Sequence, residues 1–330
     1  MQNTSFMPRL CRHLMNLVKV GVRLAAVASL LAFGARWYWL LDILANFRVQ
    51  YAMYLIVATA VLLLCRNFRW AGISLIAVVL NLGVVLPYFI PLPNSASDTK
   101  EQRVSFRLAT FNVLSSNRCC DEVVDYLREL DADFVFVLET SADWELAIKS
   151  LRDLYPHQKN EIQSGNFGIA LLSKNPFSEI KISEYTPSIA SIDALVMLGG
   201  NRVRLIGTHP YPPINGKVSR LRNSHMQKLA ESIATEASDA KTIVAGDFNM
   251  TPWSPHFRDF LEVSGLEDSA KGKGVQPTWY ALPSFCFGIP IDHVCFDKSF
   301  RVDARLVGPE LGSDHRPVWV DFSIVSKDTD

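Results

Sequence analysis

The chain has 330 residues, 49% of them hydrophobic, and 33 basic against 33 acidic side chains, so it carries no net charge. Six cysteines without CxxC spacing or a Cys/His cluster exclude a zinc site, and no internal repeat or low-complexity tract marks a repeat array. The neutral average hides an asymmetry: residues 1–104 hold ten Lys/Arg against three Asp/Glu, and residues 105–330 hold 23 against 30, which leaves +7 and −7. Such a split marks a membrane or nucleic-acid region joined to a soluble domain.

Three apolar blocks open the chain. Residues 18–41 are interrupted by Lys19, Arg23 and Arg36, whereas residues 49–65 and 70–91 are uncharged. The last block is long enough to cross a bilayer, with Trp70 and Tyr88 placed as interfacial anchors. Blocks in succession are not a cleavable signal peptide, and the expectation is a membrane region over 1–91 with about three transmembrane helices. Arg66 and Arg69 in the turn between the last two blocks, with Arg9, Arg12, Lys19 and Arg23 before the first span, favour the cytoplasmic side. The third span then delivers the following domain to the outer face; Lys100, Arg103 and Arg107 pull the other way. Residues 92–104, polar and Pro/Ser-bearing, read as a linker, and 105–330 as a soluble domain large enough for one core.

Within that domain, residues 107–113, 134–138, 168–173, 203–209, 242–245, 291–296 and 317–324 read as strands. Residues 121–130, with Val123, Val124, Leu127 and Leu130 at helical spacing, and residues 222–234 read as helices. Strands apolar on both faces with helical connections predict a four-layer α/β sandwich, two packed β-sheets flanked by helices, preceded by the transmembrane region. Strand after strand ends in a polar residue, among them Glu139, His209 and Asp247. The turn Gly246-Asp247-Phe248-Asn249 and the later Ser313-Asp314-His315-Arg316-Pro317 place an Asp/Asn and an Asp/His pair at strand ends. Metal-assisted attack of water on a phosphate ester requires such groups: carboxylates for the cation, a base, and neutral donors for the oxyanion.

With Thr110-Phe111-Asn112, Val137-Leu138-Glu139-Thr140, Gly168-Ile169-Ala170-Leu171-Leu172-Ser173, Gly207-Thr208-His209 and Ile291-Asp292-His293-Val294, these motifs stand in the order of one superfamily. The soluble half resembles the endonuclease/exonuclease/phosphatase superfamily, exonuclease III and DNase I-like, here in a membrane-anchored bacterial form. The resemblance implies a catalytic set of Asn112, Glu139, His209, Asp247, Asn249, Asp292, Asp314 and His315. Glu139 would bind the divalent cation, Mg²⁺ or Mn²⁺, assisted by Asn112 and Asp314. Asp247 would position or deprotonate the attacking water, and Asn249 would donate to the phosphoryl oxyanion. His315 would contact the scissile phosphate with Asp292 as its partner, and His209 would be a phosphate contact or acid. His157, His225, His256 and His293 are read as surface or core residues, and Trp253 and Trp279 as packing residues, with Trp253 a candidate for the mouth.

The superfamily includes nucleases, phosphoinositide phosphatases and phospholipid phosphodiesterases, so the substrate stays open between nucleic acid and a phospholipid headgroup. The −7 of the second half gives little support to tight nonspecific binding of duplex DNA. The expectation is an integral protein of a bacterial inner membrane, its catalytic domain on the periplasmic face, with the bilayer and a phosphate ester as partners and no protein partner. A Cys286–Cys295 disulfide fits only that oxidising setting. The alternative is a catalytically idle domain that serves as a membrane-tethered binding or scaffold protein.

Overall fold

The computed structural model describes residues 6–91, 102–163, 165–236, 239–281 and 287–327, with side chains from residue 11 onward. The chain divides into two compact units, Met1–Pro87 with Trp253–Pro255, and Tyr88–Pro252 with His256–Asp330. Most of the expected linker, 92–101, and Cys286 lie outside the described residues.

The first unit is helical: α1 (Phe6–Leu31), α2 (Trp39–Ala45), α3 (Arg48–Leu64) and α4 (Phe68–Val85). Two helical stretches, Cys11–Gly34 and Phe68–Phe89, are long and apolar enough to cross a membrane, and α2 with α3, bent by 56°, is a third span if the pair counts as one. The first stretch starts and stops earlier than the expected 18–41, because the chain turns after Gly34 into the separate helix α2. Small and polar side chains face inward. Asn81 Nδ2 donates to Ser29 Oγ at 2.7 Å and Ser74 Oγ to the Leu55 carbonyl at 3.0 Å. Leu17, Leu24, Val57, Leu64, Ile76 and Val79 point outward and are exposed. Tyr88, expected as an interfacial anchor, is instead built into the second unit, where its carbonyl accepts the Gly272 and Gly274 N–H groups.

The second unit runs β1 (Arg103–Asn112), α5 (Cys120–Leu130), β2 (Phe134–Leu138), α6 (Ala142–Lys149), β3 (His157–Glu161), β4 (Ile169–Ser173), β5 (Phe177–Thr186), β6 (Ile189–Leu198), β7 (Asn201–Gly207), α7 (Gly216–Thr235), β8 (Lys241–Asp247), α8 (Pro255–Ser264), β9 (Glu267–Asp268), β10 (Trp279–Tyr280), β11 (Gly288–Ile289), β12 (Asp292–Phe296), β13 (Arg301–Val307) and β14 (Val318–Val325). Two mixed six-stranded sheets form, in the orders β13-β14-β1-β2-β4-β3 and β5-β6-β7-β8-β12-β9, with β10-β11 as a short ribbon. Each sheet contains one parallel pair, β1/β2 and β7/β8, at its centre.

Side chains alternate faces along a strand, and here both faces are apolar. Phe106, Leu108, Phe134, Phe136, Leu205, Ile243, Ala245, Val294 and Val320 share one core between the sheets. Val135, Val137 and Phe111 pack outward against Trp144 and Leu127 of the helices, and Ile206, Val244 and Cys295 against Met226 and Phe257. This is the expected four-layer sandwich. Its parity places the polar groups: Asn112 continues the Phe106/Leu108 face, Asp247 the Ile243/Ala245 face, and Asp292 the Val294/Phe296 face. All three therefore lie on the inner faces, where the apolar core gives way at the strand ends.

Two glycines make the close approaches possible. Gly168 lies against Thr140, the residue after Glu139, where a Cβ would sit 1.9 Å from the Thr140 carbonyl oxygen. Gly246 has φ +147°, and a Cβ there would stand 1.9 Å from the carbonyl oxygen of Thr208, backbone against backbone. The Gly246→Ala chain, unfolded thermally in detergent, should lose about 3 kcal/mol or more. An unchanged midpoint would show that β8 does not need this approach.

Candidate active site

Seven of the eight residues singled out in the sequence converge in one hydrogen-bonded cluster. Asn112 ends β1, Glu139 follows β2, His209 follows β7, Asp247 ends β8 and Asp292 begins β12 directly opposite Asp247 in the ladder. His315 lies just before β14 and is bridged to Trp279. Asn112 Nδ2 donates to Glu139 Oε1 at 2.9 Å and to Asp247 Oδ2 at 3.3 Å. Asp247 Oδ2 lies 3.3 Å from His209 Nε2 and 3.5 Å from His315 Nε2. On the far side of that ring, His315 Nδ1 meets Asp292 Oδ2 at 2.9 Å. Asn249 joins as the seventh member: its N–H donates to Asp247 Oδ1 at 2.8 Å and its Nδ2 to the Pro210 carbonyl at 3.0 Å.

Asp314 is placed differently. Its carboxylate accepts from Trp279 Nε1 at 2.8 Å in an exposed position, and its carbonyl accepts the Tyr280 N–H. Sequence reading assigned Trp279 to packing and left out Ser115 and Thr278. The Ser115 N–H donates to Glu139 Oε2 at 3.3 Å, and Thr278 Oγ1 receives the N–H groups of Ile291 and Asp292, each at 3.1 Å. No sequence pattern marks Ser115 or Thr278, because their partners are distant in the chain. His293 and His225 are buried core residues as expected; His293 meets the Met250 carbonyl at 2.9 Å.

Two site residues hold backbone conformations that non-glycine residues avoid, Glu139 at φ +60° and Asn249 at φ +53°. Such conformations persist only where the surroundings hold them.

The electrostatics follow from burial. Asp247 and Asp292 are 2% and 1% exposed. Burial works against the Asp247 carboxylate, but His315 and His209 beside it outweigh that cost and hold its pKa low. For His209, burial would strip the proton, yet the bond and charge of Asp247 raise its pKa. His315 is pushed up to about 10, since Asp292 and Asp247 overcome the penalty of burial. Among the described residues, Asp292 Oδ1 and His209 Nδ1 are buried without a hydrogen-bond partner.

Ligand atoms of Asp247, Asp292 and His315 lie within 4.8 Å of one another, a group that could hold a metal ion. Asp292 Oδ2 is engaged by His315, whereas the hydrogen-bond donors to the Glu139 carboxylate among the described residues are neutral, the Asn112 amide and the Ser115 N–H. A buried carboxylate met only by neutral donors is a place for a cation. Its oxygen donors fit a hard divalent ion.

Two packed mixed sheets with carboxylates, amides and histidines converging at the strand ends define the class, a phosphoester hydrolase of the α/β-sandwich kind. The chain belongs to the Endonuclease/Exonuclease/phosphatase family, whose profile matches residues 109–315. No curated protein sequence matches it. Among solved structures, D. rerio TDP2 complexed with single strand DNA product is similar at 18% identity and a TM-score of 0.56, over 66% of this chain and 98% of that one. The human Nocturnin catalytic domain with bound sulfate anion matches at 18% identity and a TM-score of 0.56, over 68% of this chain and 96% of that one. A Bacteroides thetaiotaomicron protein of the same family matches at 16% identity and a TM-score of 0.54, over 68% and 99%. At these identities the likeness is one of fold.

The raised pKa of His315 makes a stability prediction. A folded-state value of about 10 against an ordinary 6.5 stabilises the metal-free fold fully below pH 6.5, and the contribution is lost as the pH rises through 10. In EDTA the unfolding free energy should therefore fall across that window, and His315→Asn should flatten the fall. Equal slopes in parent and variant would contradict the His315–Asp292–Asp247 arrangement.

Proposed function

We propose that this protein is a membrane-anchored, Mg²⁺-dependent hydrolase that cleaves phosphate esters by attack of water. The observation that carries the reading is the contact of Asn112 with both Glu139 and Asp247, 2.9 and 3.3 Å away. It draws acidic groups from the two sheets into one buried mouth, an arrangement that a bound cation would stabilise.

Glu139, with Asn112 beside it, would hold the ion; Asp314 would have to leave Trp279 to join them. When bound, a divalent cation neutralises phosphoryl charge and lowers the pKa of water. Asp247, held ionised by its histidine neighbours, accepts a proton from the attacking water. Its Oδ1 is fixed by the Asn249 N–H, which leaves Oδ2 to face the mouth. His315, protonated and oriented by Asp292, donates through Nε2 toward a phosphoryl oxygen, and His209 adds a second cationic ring on the same side. Asn249 Nδ2 would supply a neutral donor to the developing charge.

Anchoring rests on the first unit. Its helices expose many large aliphatic side chains while burying Ser29, Ser74 and Asn81 beside an apolar interior, which supports packing in lipid. The cluster Arg66/Arg69 favours a cytoplasmic turn, which would put the catalytic domain on the periplasmic face. A single-stranded nucleic acid or a phospholipid headgroup would suit a site tethered there; the D. rerio neighbour was captured with a DNA product.

The test uses the full chain in detergent with bis-p-nitrophenyl phosphate, single-stranded DNA and phospholipid vesicles. Hydrolysis should require Mg²⁺ and stop in EDTA. Asp247→Ala should lower kcat by about 10³-fold or more, the scale of losing a group that acts on the reacting atoms. Glu139→Gln should raise the Mg²⁺ concentration for half activity. Parental turnover in a folded Asp247→Ala chain would sink the proposal. Extraction of the protein from membranes by alkaline carbonate would sink the anchoring.

A further inference from the structure

Arg222 and His225 are both buried and stand three residues apart on α7, hence on one helix face. Neither is part of the cluster, yet each reaches one of the loops that carry it. Arg222 Nη1 donates to the Asn249 carbonyl at 2.8 Å. Its guanidinium is aimed by Asn223, whose Oδ1 accepts from Nε at 3.0 Å and from Nη2 at 2.7 Å. His225 Nε2 lies 2.7 Å from Thr208 Oγ1, and that hydroxyl lies 2.8 Å from Ser191 Oγ. Thr208 is the residue immediately before His209.

The two loops depend on each other. Asn249 Nδ2 holds the Pro210 carbonyl, and His209 Nε2 stands 3.3 Å from Asp247 Oδ2. Asn249 also sits at φ +53°, a conformation that must be held from outside. Its N–H and side chain are held from within the site, and among the described residues its carbonyl is held by Arg222. A planar guanidinium forms these bonds in one fixed orientation, which an ammonium does not. His225 is kept neutral by burial, its pKa down at about 3, so it meets Thr208 as an uncharged ring throughout the physiological range.

We propose that Arg222 and His225 are positioning residues, one face of α7 setting the spacing between the His209 loop and the Asp247–Asn249 turn. The role rests on the phosphoester-hydrolase reading of the site. Arg222 is 1% exposed and turned toward a backbone carbonyl, so it acts through Asn249 and does not touch a substrate.

The experiment measures kcat, KM, Mg²⁺ half-saturation and the thermal midpoint of the full chain in detergent, with bis-p-nitrophenyl phosphate as substrate. Arg222→Met should lower kcat about 100-fold, the cost of an ångström-scale misplacement, with KM and Mg²⁺ half-saturation within about threefold of the parent. Arg222→Lys, which keeps a donor for the Asn249 carbonyl, should recover about tenfold of that loss. His225→Gln should retain more kcat than His225→Leu, because only the former keeps a hydrogen bond to Thr208. If Arg222→Met does not fold, Asn223→Ala replaces it: the arginine stays but loses its aim, and kcat should fall several-fold with an unchanged midpoint. Parental kcat in folded Arg222→Met or Asn223→Ala would overturn the proposal. So would losses that track the folded fraction, with no difference between conservative and disruptive variants. An inert parent is a different result, because it refutes the hydrolase reading and the positioning role falls with it.

Discussion

Asp247 is an almost fully buried carboxylate at the end of an apolar strand, and much of the second unit can be read as the means of keeping it there. A buried charge needs partners of opposite sign or strong donors. Those partners come from both sheets: Asn112 from β1 of one, His209 and Asn249 from the loops of the other, and His315 from the segment before β14. Losing this convergence would leave an uncompensated charge between the sheets. The same requirement explains the left-handed backbones of Glu139 and Asn249 and the absence of a side chain at Gly246.

The histidines complete that logic. His209 and His315 are driven toward the cationic form by the acids they stabilise, while His225 and His293, equally buried but lacking such neighbours in hydrogen-bond contact, are driven toward the neutral form. Four buried imidazoles in one domain thus divide into two kinds by the groups they meet. The pair with raised pKa, His209 and His315, lies beside Asp247; the pair with lowered pKa, His225 and His293, meets Thr208 and the Met250 carbonyl.

The proposed anchor obeys a different solvent rule. Between the two sheets, apolar side chains fill the interior and polar groups collect at the strand ends. In the helical unit many aliphatic side chains are exposed, and Ser29 and Asn81 pair inside, beside the buried Val22, Leu55, Leu62 and Val78. In a bilayer, the setting proposed for this unit, such pairing would replace the hydrophobic drive that lipid does not supply.

Much of this was legible in the residues. The runs 134–138 and 243–245, apolar at every position, could only be strands covered on both sides, and β2 and β8 are such strands. Their parity, extended by one or two residues, already sets Asn112, Asp247 and Asp292 on the core-facing side. The edge strand β5 left no such mark, because most of its residues are at least partly exposed and follow no apolar period. The hairpin from β6 to β7 had a signal that went unread, the pair Gly199-Gly200 with positive φ at both residues. Chain order and side-chain alternation therefore determined the sandwich, the family and the residues of the mouth. Which partners they meet was decided by folding alone: Trp279 on Asp314, Thr278 under Asp292 and Arg222 on Asn249 join residues 14 to 35 apart. A hydrogen bond of that kind depends on where two loops come to rest, and periodicity along the chain carries no record of it.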